Sequence, residues 1–383
     1  MANEKRSIYK SKSIAIKIAY DYQTFTVQKY GGISRYFHQL TKHISKTEHS
    51  AEIFSPLYIN NYINNLPKEL VHGKFVDAKY IDKIPKKSRI IGGINRILSK
   101  RQIDLFNPDI VHETFYSKHK TYKKAKYTVI TVYDMIHELF DYYLPPHHKG
   151  WDDKKDAINR ADHVICISEH TRKDLIELFD VDFDKTSVVH LAYDSSETVE
   201  NKRSDDQRPF LLYVGWREWY KNFKPFLQSI SRSKPIMNDF DIVAFGGGEF
   251  TLEELKLIRK LGFRDGQVKQ ISGRDDLLAK YYSEAKAFVF PSLYEGFGIP
   301  PLEAMSYNCP VISSDASCMP EVIGDAAEYF DPSNLDDMFK TVEKTVYSDS
   351  RINELVLLGK QQIKKYSWQK CTDETLSVYQ SII

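Results

Sequence analysis

The sequence predicts an α/β protein made of two doubly wound parallel-sheet domains in succession. Three observations predict it. Short apolar runs alternate with amphipathic helical patterns over most of the chain, the pattern of strand–helix–strand units in a parallel sheet. The chain has 383 residues, too many for one ordinary core. A polar stretch, Ser195 to Arg208, interrupts the alternation, and a second series of apolar runs follows it.

In the first series, Ile14–Tyr20 reads as a strand, followed by a loop with Gly31 and Gly32 and an amphipathic helix from about Ser34 to Ile44. Ala51–Phe54, Asp109–His112, Tyr127–Val132 and His163–Ile167 read as further strands, the last followed by a helix opened by Ser168 and Glu169. In the second series, Phe210–Gly215 opens the sheet, and Ile242–Phe245, Val268–Ile271 and Ala287–Phe290 continue it. The domain boundaries expected are residues 1–195 and 196–365. Two such domains imply a ligand cleft at the carboxyl ends of their strands.

Composition narrows the class. Hydrophobic residues make up 42% and charged residues 28%, with a net charge of +2. This describes a soluble protein and gives no reason to expect nucleic acid as a partner. No run reaches the length of a membrane span, and no signal peptide precedes Ile14. Cys166, Cys309, Cys318 and Cys371 are scattered. They suggest reduced thiols in a cytoplasmic protein, without a disulfide frame or zinc site.

The most informative segment runs from Phe290 to Met305, FPSLYEGFGIPPLEAM. Glu295 and Glu303 stand eight positions apart with Gly296-Phe297-Gly298 between them. A buried strand end precedes the loop, and a helix start with Pro300 and Pro301 follows it. Glycines let backbone amides approach a ligand closely, and a helix N-terminus favours anions. Diphosphate on the amides and sugar hydroxyls on the two carboxylates would match a nucleotide sugar.

This segment resembles the Glu-x7-Glu signature of the retaining glycosyltransferases of family 4, which have the GT-B fold. Pro310–Asp315 and Pro320–Ala327 continue the resemblance without a gap. It is strong from Leu211 to Pro332 and weaker before that. Tyr366–Lys370 looks like the start of the family's last helix, about 366–383, which crosses back onto the N-terminal domain. The resemblance implies an acceptor-binding N-terminal domain and a donor-binding C-terminal one, with no metal or other cofactor. Glu303 would accept the ribose hydroxyls, and Tyr294, Glu295 and the amides of Gly296, Phe297 and Gly298 would hold the distal phosphate and hexose. Arg217 and Lys221, in GWREWYKN after the first strand of the second domain, would hold the diphosphate and stabilise the leaving group. Arg274 falls where the family meets the nucleobase, and an exposed structural arginine is the competing reading.

In the first domain, Gly31-Gly32-Ile33-Ser34-Arg35-Tyr36 looks like the phosphate-facing loop of bacterial mannosyltransferase-type members. Many relatives read Thr-Val-His-Asp where this chain has Thr131-Val132-Tyr133-Asp134. His137, four residues after Tyr133, either takes the missing histidine's place or is a surface residue. Asp134 and Tyr133, with His112 and Glu113, are acceptor-side candidates, and Glu113 or Asp134 could serve as base. Asp182-Phe183-Asp184 and Asp239-Phe240-Asp241 have the form of a metal motif but read as structural. Residues 80–101 are basic and roughly amphipathic. They read as an anionic-membrane contact, on the inner face, or as a core helix with a solvated basic side. The resemblance implies transfer of a hexose from a nucleotide sugar, with GDP-mannose weakly favoured, to a glycan or lipid-linked oligosaccharide of a surface polysaccharide such as O-antigen. A sugar-nucleotide epimerase or hydrolase of the same fold, or a non-catalytic partner subunit, are the alternatives.

Overall fold

The structure, a computed structural model, describes residues 15–77, 79, 87–140, 150–194 and 208–383. The strands, in chain order, are β1 (Lys17–Tyr20), β2 (Ser50–Ile53), β3 (Leu57–Tyr58), β4 (Lys74–Phe75), β5 (Ile110–Glu113), β6 (Tyr127–Val132), β7 (His163–Cys166) and β8 (Thr186–Val188), then β9 (Phe210–Val214), β10 (Asp241–Phe245), β11 (Val268–Ile271), β12 (Ala287–Phe290), β13 (Val311–Ser314) and β14 (Ala327–Phe330). One six-stranded sheet has the order β2-β1-β5-β6-β7-β8 and a second the order β11-β10-β9-β12-β13-β14, while β3 and β4 form a separate pair.

Neighbouring strands pair in parallel, for example Phe288↔Val311 and Ile242↔Leu211. Helices cover both faces of a parallel sheet, so its strands read as unbroken apolar runs rather than alternating ones. All residues of β5, β7, β10, β12 and β13 are buried. Every strand read from the sequence is present within a few residues. β3, β4, β13 and β14 were not read as strands: the first two have only two residues each and the last two only four.

By contact density the chain divides into two compact units. One holds residues 1–130, 156–162 and 376–383, and the other residues 131–155 and 163–375. The first has a core around Ala19, Phe54, Ile103, Val111 and Tyr122. The second centres on residues such as Leu211, Phe223, Phe226, Ile242, Val289 and Ile312. The polar stretch 195–208 lies outside the described residues except for Arg208, and so does 80–86 of the basic segment. The expected last helix is present as Trp368–Ser381. All four cysteines are free and buried. Among the described residues, no helix is long and apolar enough to cross a membrane.

Candidate functional site

In the second sheet the strand order reverses between β9 and β12. Helices leave the two strands toward opposite faces there, so a crevice opens at their carboxyl ends. Two loops border it: residues 215–222 after β9 and residues 291–298 after β12.

The first loop turns at Gly215, whose φ of +122° favours glycine. Beneath it, the buried Tyr213 hydroxyl donates to the Trp216 carbonyl, with the Lys221 carbonyl 3.3 Å away. Trp219 and Asn222 both sit at positive φ, and Asn222 Nδ2 is anchored on the Pro332 carbonyl at 2.9 Å. The loop presents Lys221, with Nζ 2.7 Å from Glu295 Oε1. A cavity of about 350 Å³ lies against Trp216, Glu218, Trp219, Tyr220 and Lys221.

Arg217 departs from expectation. It is 4% exposed, and all five guanidinium donors are engaged within the protein. Nε and Nη2 reach Glu254 at 2.7 and 3.3 Å, Nη1 donates to the Gly246 and Gly248 carbonyls, and Nη2 also donates to the Glu249 carbonyl. Burial opposes ionisation of Glu254, but its bonds from Arg217 and Thr251 hold its carboxyl below the usual value. Arg217 is therefore a brace for the three left-handed glycines after β10, with no donor left for a phosphate.

The second loop is pinned from several sides. The Leu293 amide donates to the Tyr220 carbonyl at 2.7 Å, joining the two loops. The Glu295 amide donates to Ser317 Oγ, and the Gly296 carbonyl accepts from Ser168 Oγ at 2.8 Å and Thr171 Oγ1 at 3.3 Å. Tyr294 donates to Asp174 Oδ2 at 2.5 Å, and burial together with that carboxylate pushes its phenol far up. Phe297 is buried against His190 and Tyr366. Gly298, at φ +82°, is the N-cap of helix Ile299–Ser306, which carries half-buried Glu303 in its second turn. No described residue accepts from the amides of Gly296, Phe297 or Gly298. Three such buried donors at a helix N-terminus, beside a lysine and a carboxylate, suit an anion carrying hydroxyl groups.

A third segment closes on these loops. A Cβ on Gly296 would come within 1.8 Å of the Tyr133 carbonyl oxygen, so glycine is required for this approach. Asp134 Oδ1 accepts from the Ile136 amide at 3.1 Å and opens the short helix Ile136–Leu139, which carries half-buried His137. The buried Lys154 holds this segment through Glu138 Oε2 at 2.7 Å and the Asp134 carbonyl at 2.9 Å. Burial, then the charges of Glu295 and Asp134, push the Tyr220 phenol up. Sequence reading missed Tyr220, Ser317 and Lys154, since nothing in a lone tyrosine, serine or lysine marks the loops that meet around it.

In the first unit, Gly32 starts helix Gly32–Ile44 and Gly31 caps it, with Ser34 Oγ donating to the Gly31 carbonyl. A Cβ at Gly32 would meet open space. His112 and Glu113, expected on the acceptor, are instead structural. His112 is fully buried among Tyr20, Phe37 and Tyr379, with Nδ1 2.6 Å from the Tyr379 hydroxyl, and burial pushes its imidazole down to about 3. Glu113 is clamped by Arg160 through two bonds of 3.0 and 2.7 Å. Burial pushes its carboxyl up to about 7 against that pull. The residue at the end of β1 that gathers bonds is Asp21, which accepts from Gln23, Thr114 and Thr121.

Arg274 is exposed and lies 3.4 Å from Asp276, at the start of helix Asp275–Glu284. Asp182 caps a short turn through the Asp184 amide, Asp239 accepts from the Tyr347 hydroxyl, and Asp241 pairs with Arg208 and Lys269. Among the described residues, no three His, Cys, Asp or Glu side chains gather as metal ligands.

Two family models match in succession: Glycosyltransferase Family 4 over residues 30–197, and Glycosyl transferases group 1 over residues 194–358. The chain is 28% identical over 235 residues to O-antigen chain mannosyltransferase B of Escherichia coli, covering 58% of this chain and 62% of that protein. It is also 28% identical over 207 residues to O-antigen chain mannosyltransferase RfbU of Salmonella typhimurium, covering 53% and 57%. It thus matches less than two thirds of the length of these relatives. In fold it is similar to a glycosyltransferase from Rickettsia africae, with a TM-score of 0.67 at 16% identity over 96% of this chain and 98% of that one. The two parallel sheets are the Rossmann-like sheets of the GT-B fold. The chain belongs to the family 4 glycosyltransferases.

Proposed function

We propose that the protein is a retaining, metal-independent hexosyltransferase acting in surface-polysaccharide synthesis. It moves a hexose from a nucleotide sugar to a hydroxyl of a glycan or lipid-linked oligosaccharide. Mannose from GDP-mannose is the favoured donor, because both relatives above are named O-antigen chain mannosyltransferases. The observation that carries the reading is the Lys221–Glu295 contact of 2.7 Å beside the unshared amides of Gly296–Gly298.

The donor's distal phosphate sits on these amides and Lys221, the hexose against Glu295, and the ribose hydroxyls on Glu303. As the anomeric carbon–oxygen bond breaks, charge builds on the leaving diphosphate. Lys221 and the helix N-terminus are already oriented to stabilise it. The acceptor oxygen forms its bond on the face the diphosphate leaves, and its proton passes to the departing phosphate oxygen, which retains configuration. The segment Tyr133–His137 takes the acceptor side, since it packs on the Gly296 turn. Arg217 supports the reaction through its loop, not by touching phosphate.

The test is thermal stabilisation by GDP-, UDP- and ADP-sugars in EDTA, followed by NMR of the product's anomeric linkage. A shift with one base, turnover in EDTA and a retained anomer are expected. No shift with any nucleotide and no nucleotide release would overturn the reading. Turnover without an acceptor would favour a hydrolase or epimerase.

A further inference from the structure

The helix Lys87–Phe106 buries two polar side chains and exposes several apolar ones. Its inward side carries Asn95 and Ser99, both fully buried, ahead of Ile103. These polar groups are bonded to the chain beneath. Asn95 exchanges two bonds of 2.8 Å with the Leu57 backbone, and Ser99 Oγ donates to the Phe54 carbonyl at 2.8 Å. Its outward side carries Ile94, Ile97, Leu98 and Leu105, of which Ile97 is 68% and Leu105 77% exposed. Spacings of three, four and eleven place them on one stripe. Each exposed apolar side chain is unremarkable alone; four on one stripe of one helix imply an apolar neighbour.

The charge around the stripe identifies that neighbour. A groove of about 970 Å³ runs between this helix and the loop after β5. Its cations are Arg96, Lys100, Arg101, Lys120, Lys123 and Lys124, and Ile97 and Leu105 line it with them. Its one carboxylate, Asp104, already accepts from the Lys123 and Lys124 amides at 2.8 and 3.0 Å. None of the six cations is ion-paired among the described residues. Half of them come from the loop, which the sequence does not connect to the helix. A protein partner would need a matching acidic groove with an apolar ridge, whereas an anionic bilayer offers both features in one surface.

We propose that this face, with Ile97 and Leu105 flanked by the cations of the helix and the 120–124 loop, docks on the surface of an anionic lipid bilayer. The apolar side chains enter the headgroup boundary while the lysines and arginines meet lipid phosphates. The inference is independent of which sugar is transferred, since no residue here belongs to the Lys221–Glu295 site.

The test is co-sedimentation of the full chain with vesicles of phosphatidylglycerol and phosphatidylcholine against pure phosphatidylcholine. Binding is expected only to the anionic vesicles and should fall as salt shortens the screening length. Arg101→Glu/Lys123→Glu/Lys124→Glu should lower affinity by about tenfold or more, and Ile97→Ser/Leu105→Ser several-fold, both with unchanged melting points because the residues are exposed. Three outcomes would overturn the proposal. One is no vesicle binding at low salt. Another is displacement by millimolar pyrophosphate at fixed ionic strength with no effect of the serine variant, which would make the groove a small-anion site. The third is tighter binding to single-stranded RNA than to vesicles, again indifferent to the serine variant.

Discussion

Replacing Gly296 by alanine probes the packing on which the site depends. The added Cβ would lie 1.8 Å from the Tyr133 carbonyl oxygen, 2.9 Å from its carbon and 3.1 Å from Asp134 Cβ. Real Cβ atoms stay beyond 3.0 Å, so the two segments must part by more than an ångström. Neither yields freely. The 296 turn is held by Ser168 and Thr171 on its carbonyl and by the Leu293–Tyr220 backbone bond, and the 133–138 segment by the buried Lys154–Glu138 pair. Overpacking costs about 1–3 kcal/mol, and each lost hydrogen bond adds about 1 kcal/mol. We expect destabilisation of roughly 2–5 kcal/mol in urea unfolding, read against ~0.5 kcal/mol for Gly32→Ala, whose Cβ would meet open space. An ångström of displacement beside Glu295 should also lower nucleotide release about 100-fold. Wild-type stability and turnover in Gly296→Ala would refute the contact between these segments and the acceptor-side placement built on it.

Three further outcomes are expected. Lys221→Ala should lower turnover about 10²–10³-fold by removing the cation proposed to stabilise the leaving group, with little change in melting point; wild-type rates would remove Lys221 from the chemistry. Arg217→Lys keeps the charge but forfeits most of five hydrogen bonds, so stability should fall by roughly 2–4 kcal/mol; unchanged stability with weakened nucleotide affinity would restore a phosphate role. His112 is held neutral in the fold, at about 3 against an ordinary 6.5, while the unfolded chain protonates near 6.5. Its contribution is therefore complete above that pH and is lost as pH falls toward 3, so between pH 7 and 5 the wild type should lose about 2 kcal/mol more than His112→Asn. Parallel pH profiles for the two in urea unfolding would contradict a buried neutral imidazole.

The strands, the two sheets and the Glu295–Gly298 loop were legible from the sequence, because buried parallel strands read as contiguous apolar runs and because glycines and paired glutamates sit close together in the chain. Lys221 was legible for the same reason: its loop follows directly on β9. What the sequence does not carry is the partner of a side chain distant along the chain. Arg217 and Lys221 look alike as loop cations, yet one is consumed by Glu254 and three carbonyls while the other meets Glu295. His112 and Glu113 end a strand at the expected edge, but Tyr379, from the last helix, and Arg160 take up their polar atoms. Only the fold brings Tyr133 onto Gly296 and the 120–124 loop beside the exposed stripe of helix Lys87–Phe106. Period and motif are local properties and survive in one dimension. Burial, ion pairing and accessibility are decided by which remote segments arrive at the same place, and these alone separate a ligand-binding charge from a structural one.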